Sequence, residues 1–169
     1  MTRVIEHLRR EQANAFGLYL QYQGYHWNVA GPLFRDLHLL FDEHANTVLE
    51  TVDDLAERQR MLGALAGYTL EDIGGMNTLP EESGAPATVE DMIARLQDSH
   101  RRVIEDLKSG FRAAEDHDDP GSADLFARIV QHHERMEWFL REILAGRTVL
   151  LRETSVRPAQ PAEAVIAGR

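Results

Sequence analysis

Two histidines and three carboxylates in the first third of the chain have the side-chain types of a transition-metal site. They are His26, His38, Asp42, Asp53 and Glu57. Imidazole together with carboxylate suits Fe(II), Mn(II) or Zn(II), and the hard carboxylate oxygens also accept Fe(III). The chain contains no cysteine, which excludes thiolate zinc sites, iron–sulfur clusters, disulfides and a cysteine nucleophile. Any metal must therefore be held by histidine and carboxylate.

Four of these residues lie on one predicted helix, and helix geometry limits how they can act together. At about 100° per residue, Asp42, Asp53 and Glu57 fall roughly 40°, 60° and 100° around the helix from His38, so the four share a face. His38 and Asp53 are nevertheless separated by roughly 22 Å along the axis, at about 1.5 Å per residue. No single ion can touch both within one chain.

Two copies of this helix, packed antiparallel about a two-fold axis near residues 46–49, remove that conflict. The histidine end of one copy then lies beside the Asp53/Glu57 end of the other, and two identical shared sites result. His26 would add a nitrogen from the preceding helix end. The alternative is that Asp53 and Glu57 are solvated helix charges, because charged residues are mostly exposed. His26 and His38 would then be hydrogen-bonded residues at helix ends.

Two long helices are predicted to carry these residues. Apolar side chains recur every three or four residues over 3–29 and again over 34–62. Gly31-Pro32 separates the two runs, because proline lacks an N–H and glycine tolerates the turn that ends a helix. Residues 63–87 are rich in glycine and proline, which predicts a crossover with one short turn of helix at 70–73.

Two further helices are predicted after the crossover. Thr88 can cap the first, whose pattern is interrupted at 116–122, and the second runs from about Ser122 to near Gly146. Four long helices, no alternating strand pattern and a long link between the second and third describe an all-α, ferritin-like four-helix bundle with one crossover.

Length and composition predict one bundle domain and a tail. The chain has 169 residues, of which 43% are hydrophobic and 27% charged. We assign residues 1–151 to the bundle and 152–169 to a flexible tail. Residues 12–34 lack Asp, Glu, Lys and Arg, but polar side chains throughout that stretch make a membrane span too costly. Charges near Met1 leave no apolar run for a signal peptide, so we expect a cytoplasmic protein.

The stretch from Tyr25 to Gly63 carries a specific pattern of identities and spacings. Its segments are Tyr25-His-Trp-Asn-Val-Ala-Gly-Pro-Leu-Phe34, Leu37-His38, Phe41-Asp42-Glu43 and Asp53-Asp54-Leu-Ala-Glu57-Arg58 through Leu62-Gly63. This pattern resembles the DNA-protection-during-starvation (Dps) family of mini-ferritins. The resemblance is dense over these segments and looser over the last two predicted helices.

The resemblance implies how the candidate ligands are divided between subunits. In the Dps family the residues matching His26, His38 and Asp42 come from one subunit, and those matching Asp53 and Glu57 come from its two-fold neighbour. Together they form an intersubunit iron-oxidation centre. That division is the one the distance along the helix requires.

The same resemblance implies a ferroxidase and iron store. Its expected form is a homo-oligomeric hollow shell of twelve subunits that oxidises Fe(II), preferably with hydrogen peroxide, keeps the ferric mineral inside and so protects DNA and the cell. Carboxylates stabilise Fe(III) more than Fe(II), and two ions held close can deliver two electrons to one peroxide without releasing a radical. The alternative is a bundle whose site binds Zn(II) or Mn(II) for structure alone.

The resemblance extends to a pore and to an aromatic side chain. Asp119 and Asp124 match the family's three-fold pore positions, where acidic groups draw cations in; a solvated charged loop is the alternative. Trp27 resembles the aromatic beside the iron centre, with packing at a helix end as the alternative.

His133 lies on an apolar stripe and is interpreted as a packing residue. No role is assigned to the remaining histidines considered, His7, His44, His100 and His117.

Direct DNA binding is not expected. The net charge is −10, and Lys108 is the one lysine in the sequence. Family members that bind DNA directly generally use a lysine-rich terminal extension, which fits the counterion-release origin of nucleic-acid affinity. Residues 1–12 and 152–169 contain no such cluster. A nucleoid-compacting protein with a secondary metal site remains the alternative function, and strong gel retardation at about 0.15 M salt without divalent ions would favour it.

Overall fold

The computed structural model describes residues 1–82 and 84–145. Within them it contains five α-helices and no strand, and it is 80% helical. The helices are α1 (Thr2–Asn28), α2 (Phe34–Met61), α3 (Leu70–Met76), α4 (Val89–Asp116) and α5 (Pro120–Leu144). The all-α prediction is confirmed. The predicted tail at 152–169 lies outside the described residues. None of the described helices combines the length and apolarity that crossing a membrane requires.

The turn between α1 and α2 forms where the glycine–proline pair predicted it. α1 ends at Asn28, and the Val29 N–H donates to the Tyr25 carbonyl 2.8 Å away. Gly31 has a φ of +100°, a left-handed conformation that favours glycine. The Phe34 N–H then donates to the Gly31 carbonyl as α2 begins. This tight reversal sets the last turn of α1 beside the first turns of α2.

The crossover and α4 follow their capping residues. The Thr88 side chain accepts a hydrogen bond from the Asp91 N–H, so the predicted cap of α4 is confirmed. In α3, Thr69 and Asp72 form a reciprocal capping box. This box starts a helix that continues to Met76, longer than the predicted turn at 70–73.

The start of α5 differs from the prediction. The helix begins at Pro120, two residues before Ser122, and Asp119 is its N-cap, with its carboxylate accepting from the Ser122 N–H at 3.0 Å. Proline suits the first helical position because that N–H needs no intrahelical partner. The Asp-Pro pair is therefore a helix start rather than part of a surface loop.

The four long helices pack as two hairpins, α1 with α2 and α4 with α5, and the hairpins meet where α1 packs on α4 and α2 on α5. The core consists of two apolar clusters. Phe41 and Leu96 belong to one, and Leu107 and Phe126 to the other. Each fully buried side chain of this kind contributes about 1.5–3 kcal/mol, so apolar packing holds the helices in position.

Candidate metal centre

His26, in the last turn of α1, and His38, near the start of α2, form a close pair. Their rings are stacked, with centroids 3.7 Å apart and planes 19° from parallel. His26 Nδ1 lies 2.8 Å from the His38 carbonyl oxygen, and His38 Nδ1 lies 2.9 Å from the His26 carbonyl oxygen. The α1–α2 turn thus brings together two residues from neighbouring helix ends.

These two hydrogen bonds fix the tautomer of both rings. A carbonyl oxygen only accepts, so each Nδ1 must carry the proton and donate it. In the neutral ring each Nε2 then keeps its lone pair, which is the form in which imidazole binds a metal. Both side chains are half-buried, so His26 and His38 have fixed orientations without being sealed from solvent. The pair fits the donor set that Fe(II) would require.

The carboxylates are spread along α2. Asp42 is half-buried and lies one helical turn after His38, on the same side of α2. Asp53 and Glu57 are exposed and lie one turn from each other further along α2. In residues 1–82 and 84–145, no group of three or more His, Cys, Asp and Glu side chains converges on one point that could hold an ion. The assignment of all five residues to one centre stays a prediction.

Large apolar side chains are exposed on the same two helices. Trp27, next to His26, is 70% exposed, and Phe34, Leu39 and Leu49 on α2 are between 38% and 50% exposed. The packing alternative for Trp27 has no support within one chain, because the indole lies mostly in solvent. Exposed apolar surface of this kind is typical of faces that contact a partner.

Comparisons with known proteins agree on one family. The ferritin-like domain model matches residues 5–147. DNA protection during starvation protein 1 of Deinococcus radiodurans is 30% identical over 143 residues, covering 83% of this chain and 68% of that protein. The solved structure of Dps from Thermosynechococcus elongatus is 40% identical, with a TM-score of 0.84, and the match covers 89% of this chain and 96% of that one. The chain belongs to the Dps family of ferritin-like proteins.

A further relative extends this picture. A low-temperature-induced protein of a Nostoc species is 33% identical over 147 residues, covering 86% of this chain and 82% of that protein. Membership of the Dps family confirms the resemblance of the Tyr25–Gly63 stretch and the ferritin-like bundle. It also places the chain among proteins of iron storage and protection from stress.

Asp119, one of the two residues matched to the family's pore, has partners within the chain. Asp119 is only 5% exposed and forms an ion pair with Arg58 of α2. Burial alone would raise its pKa, but hydrogen bonds from Ser122 and the charge of Arg58 outweigh burial and lower it. Asp119 thus caps α5 and pairs with α2 within the chain. Asp124 has a side chain 73% exposed, with Arg128 at 3.3 Å. The place of both residues at a pore stays a prediction.

The structure also places together four buried residues that the sequence analysis left without a functional role. Tyr22 of α1 lies with its oxygen 3.0 Å from His44 Nδ1 of α2 and 2.6 Å from His100 Nε2 of α4. His100 Nδ1 lies 2.9 Å from His133 Nδ1 of α5. We call these four residues, one from each long helix, the Tyr–His chain. All four side chains are buried.

Burial keeps the Tyr–His chain uncharged. Desolvation is the main cause that lowers the pKa of His44 to about 4 and of His133 to about 3, and it holds the pKa of His100 well below its usual value. The same desolvation raises the pKa of Tyr22. Tyr22, His100 and His133 each lie on the apolar stripe of their helix in the sequence, which was the available signal that they are buried. Packing is part of their role.

Proposed function

We propose that this protein oxidises Fe(II) at a site shared by two copies of the chain, prefers hydrogen peroxide as the oxidant, and stores ferric iron inside a hollow shell of twelve copies. In this proposal one copy contributes His26, His38 and Asp42, and the other contributes Asp53 and Glu57. Iron is the substrate and the cargo.

The tautomer of the histidine pair is the observation that carries the proposal. Two main-chain carbonyls hold the Nδ1–H groups of the stacked His26 and His38 rings, so the neutral rings keep both Nε2 lone pairs available for a metal. Asp42 follows one turn later with an oxygen ligand. Histidines that served only to end a helix would not need both Nε2 atoms free.

The residues divide the chemistry between them. Imidazole nitrogen binds Fe(II), and carboxylate oxygen stabilises Fe(III). A site with both kinds of ligand therefore lowers the free-energy cost of oxidising Fe(II) to Fe(III). Two Fe(II) ions give two electrons to one hydrogen peroxide and yield two Fe(III) and two hydroxide ions. Because both electrons leave together, no hydroxyl radical is released.

Acidic surface supports the supply of iron. The chain carries a net charge of −10, which attracts cations and repels nucleic acid. The exposed Asp124 at the start of α5 is our candidate for the entry path. Its partner Arg128 is also 3.7 Å from Asp54, so the arginine partly neutralises the acidic groups on this surface.

The test is peroxide-driven iron oxidation combined with measurement of particle size. Fe(II) is added to the apoprotein without oxygen, hydrogen peroxide is then injected, and Fe(III) formation is followed by absorbance. We expect oxidation much faster than in buffer, a slower reaction with dioxygen, and elution as a large shell in size-exclusion chromatography. A structural Zn(II) or Mn(II) site would bind metal without accelerating oxidation, and an active monomer would contradict the shared site.

A further inference from the structure

The direction of hydrogen bonding in the Tyr–His chain follows from its distances. A hydroxyl donor makes shorter hydrogen bonds than an N–H donor. The 2.6 Å contact is therefore the one in which the Tyr22 hydroxyl donates to His100 Nε2, and at 3.0 Å His44 Nδ1–H donates to the Tyr22 oxygen. His100 Nδ1–H then donates to His133 Nδ1. With one proton in each of these three hydrogen bonds, every donor has an acceptor and all three imidazoles are neutral.

We propose that Tyr22 is a redox-active residue, a phenol that gives one electron to hydrogen peroxide at the iron site and passes its proton to His100. This inference rests on the proposed function, because the iron site supplies the place where peroxide reacts. It adds an electron donor outside the metal ligands.

Tyr22 lies close to the proposed iron ligands along both helices of the hairpin. It precedes His26 by one turn of α1, about 6 Å of axial rise. Its ring centroid is 6.0 Å from that of Phe41, which follows His38 by less than one turn on α2. Tyr22 thus lies one helical turn from His26 along α1, and its ring packs near Phe41, which is three residues after His38 on α2.

His100 supplies what oxidation of a buried phenol requires. Losing an electron makes the phenol hydroxyl strongly acidic, and Tyr22 is fully buried, so the proton must go to a neighbouring base. His100 Nε2 is that base, and its Nδ1–H can move in turn to His133. The proton thus travels along existing hydrogen bonds without a water molecule.

This donor matters when the site holds one Fe(II) instead of two. Hydrogen peroxide takes two electrons, and a single Fe(II) supplies only one, which would release a hydroxyl radical. With Tyr22 as second donor, one Fe(II), the phenol, one imidazole and one peroxide give Fe(III), a tyrosyl radical, one imidazolium and two hydroxide ions. A later Fe(II) reduces the radical, the proton returns from the imidazolium, and Fe(III) is formed.

Tyr25 is the competing phenol. Its hydroxyl donates to Glu82 at 2.6 Å, and burial together with Glu82 raises its pKa to about 12. Glu82 can take the proton of Tyr25. Among the described residues, however, Glu82 is not hydrogen-bonded to a second base in the way that His100 is hydrogen-bonded to His133. The chain has four tyrosines, so Tyr19 and Tyr68 complete the set to be tested.

The experiment adds less than one Fe(II) per chain to the apoprotein without oxygen, mixes it with hydrogen peroxide, and freezes it for electron paramagnetic resonance. Iron oxidation is measured by absorbance in the same mixture. We expect a tyrosyl radical in the wild type, loss of that signal in Tyr22→Phe, and retention in Tyr19→Phe. In the triple variant Y19F/Y25F/Y68F, Tyr22 is the last tyrosine and the signal should persist, which tests the proposal even if Tyr22→Phe folds poorly.

His100 is tested as a positioning residue with His100→Gln, which can still accept the hydroxyl hydrogen bond but cannot take the proton. We expect radical formation at least about 100-fold slower, the usual value of a positioned base, and loss of the solvent deuterium isotope effect. Iron oxidised without a Tyr22-dependent radical, or loss of the radical in the triple variant, would overturn this inference and leave the proposed function intact. Absence of any accelerated iron oxidation would overturn the proposed function itself.

Discussion

The histidine pair at the α1–α2 turn and the Tyr–His chain in the bundle centre use the same side chain in opposite ways. At the turn, His26 and His38 give their Nδ1–H groups to main-chain carbonyls and keep Nε2 free in a half-exposed position. In the centre, His100 uses both ring nitrogens for other side chains and is fully buried. The first arrangement leaves Nε2 able to bind a metal. In the second, both ring nitrogens of His100 are already hydrogen-bonded to other side chains.

The difference shows that the partner of each ring nitrogen decides what a histidine can do. A main-chain carbonyl fixes the tautomer and leaves a lone pair for coordination. The Tyr–His chain also fixes the tautomers of its rings. Its N–H and O–H donors are paired with nitrogen and oxygen acceptors inside the chain, so no lone pair of His100 is left for a metal. Substitutions in the first region should therefore remove metal binding. Those in the second should leave the metal ligands in place and change stability, together with the tyrosyl radical that we infer for Tyr22.

The largest expected effect comes from removing the histidine pair. In His26→Ala/His38→Ala the rate of peroxide-driven Fe(II) oxidation should fall at least about 100-fold, because even residues behind the ligands change metal affinity by about 10–100-fold. Size-exclusion elution should not change, since apolar helix packing is intact. The matched control is His117→Ala, an exposed histidine in neither region. Normal rates in the double variant would remove both proposed ligands.

Breaking the end of the Tyr–His chain should instead lower stability. His133→Leu leaves His100 Nδ1–H without its acceptor in a dry core, which costs about 1–3 kcal/mol of unfolding free energy. His132→Gln, at the exposed neighbouring position, should stay within about 0.5 kcal/mol of the wild type. Thermal unfolding at one fixed protein concentration measures both. Equal midpoints for the two variants would show that the chain contributes nothing to the fold.

Acid should weaken the Tyr–His chain. The folded-state pKa values of His133, about 3, and His44, about 4, lie below the ordinary histidine value of 6.5, so the unfolded chain takes up protons first as pH falls. Their stabilisation is complete above the unfolded pKa and is lost below it, by up to about 1.4 kcal/mol per pH unit for each group.

Glu11 opposes this trend and provides the control. Burial, followed by repulsion from Asp106, raises the pKa of Glu11 to about 8 from 4.5, so its contribution falls as pH rises through that window. Glu11→Gln should therefore steepen the loss of thermal stability between pH 6.5 and 4.5, because the compensating group is gone. An unchanged acid slope in this variant would contradict the assignment of these opposing effects.

The smallest expected change is optical and reports metal at the histidine pair alone. The chain has two tryptophans, Trp27 beside His26 and Trp138 on α5. In Trp138→Phe, Co(II) should partly quench the remaining Trp27 fluorescence. The same titration in a variant that also lacks His26 and His38 should leave the fluorescence unchanged. Equal quenching in both would mean that the metal binds elsewhere.

Local sequence patterns predicted the helices and several of their ends well. Gly31-Pro32 and Thr88 act through bonds to near neighbours, so their effect can be read from sequence. The α5 start was predicted two residues late, because residues 116–122 were interpreted as one interruption between helices. Its position before Pro120 was the available signal for a capped helix. Its pairing with Arg58 depends on how α2 and α5 pack and has no local signature.

The two histidine regions differ in the same respect. His26 and His38 are linked by one short turn, so their proximity follows from the hairpin and a family pattern supports it. Tyr22, His100 and His133 come from three helices, and their meeting depends on the axial shift between helices. Sequence spacing leaves that shift undetermined. The arrangement of Asp53 and Glu57 relative to a second copy is likewise beyond one chain and stays a prediction.

Mixing two inactive variants tests the shared iron site most directly. His26→Ala/His38→Ala chains and Asp53→Asn/Glu57→Gln chains are dissociated, mixed in equal amounts and reassembled. Each mixed pair then contains one intact site, so random pairing should restore about a quarter of the wild-type Fe(II) oxidation rate with peroxide. Each variant reassembled alone should stay inactive. Failure of the mixture to regain activity, although mixed assemblies form, would contradict a centre built from two copies.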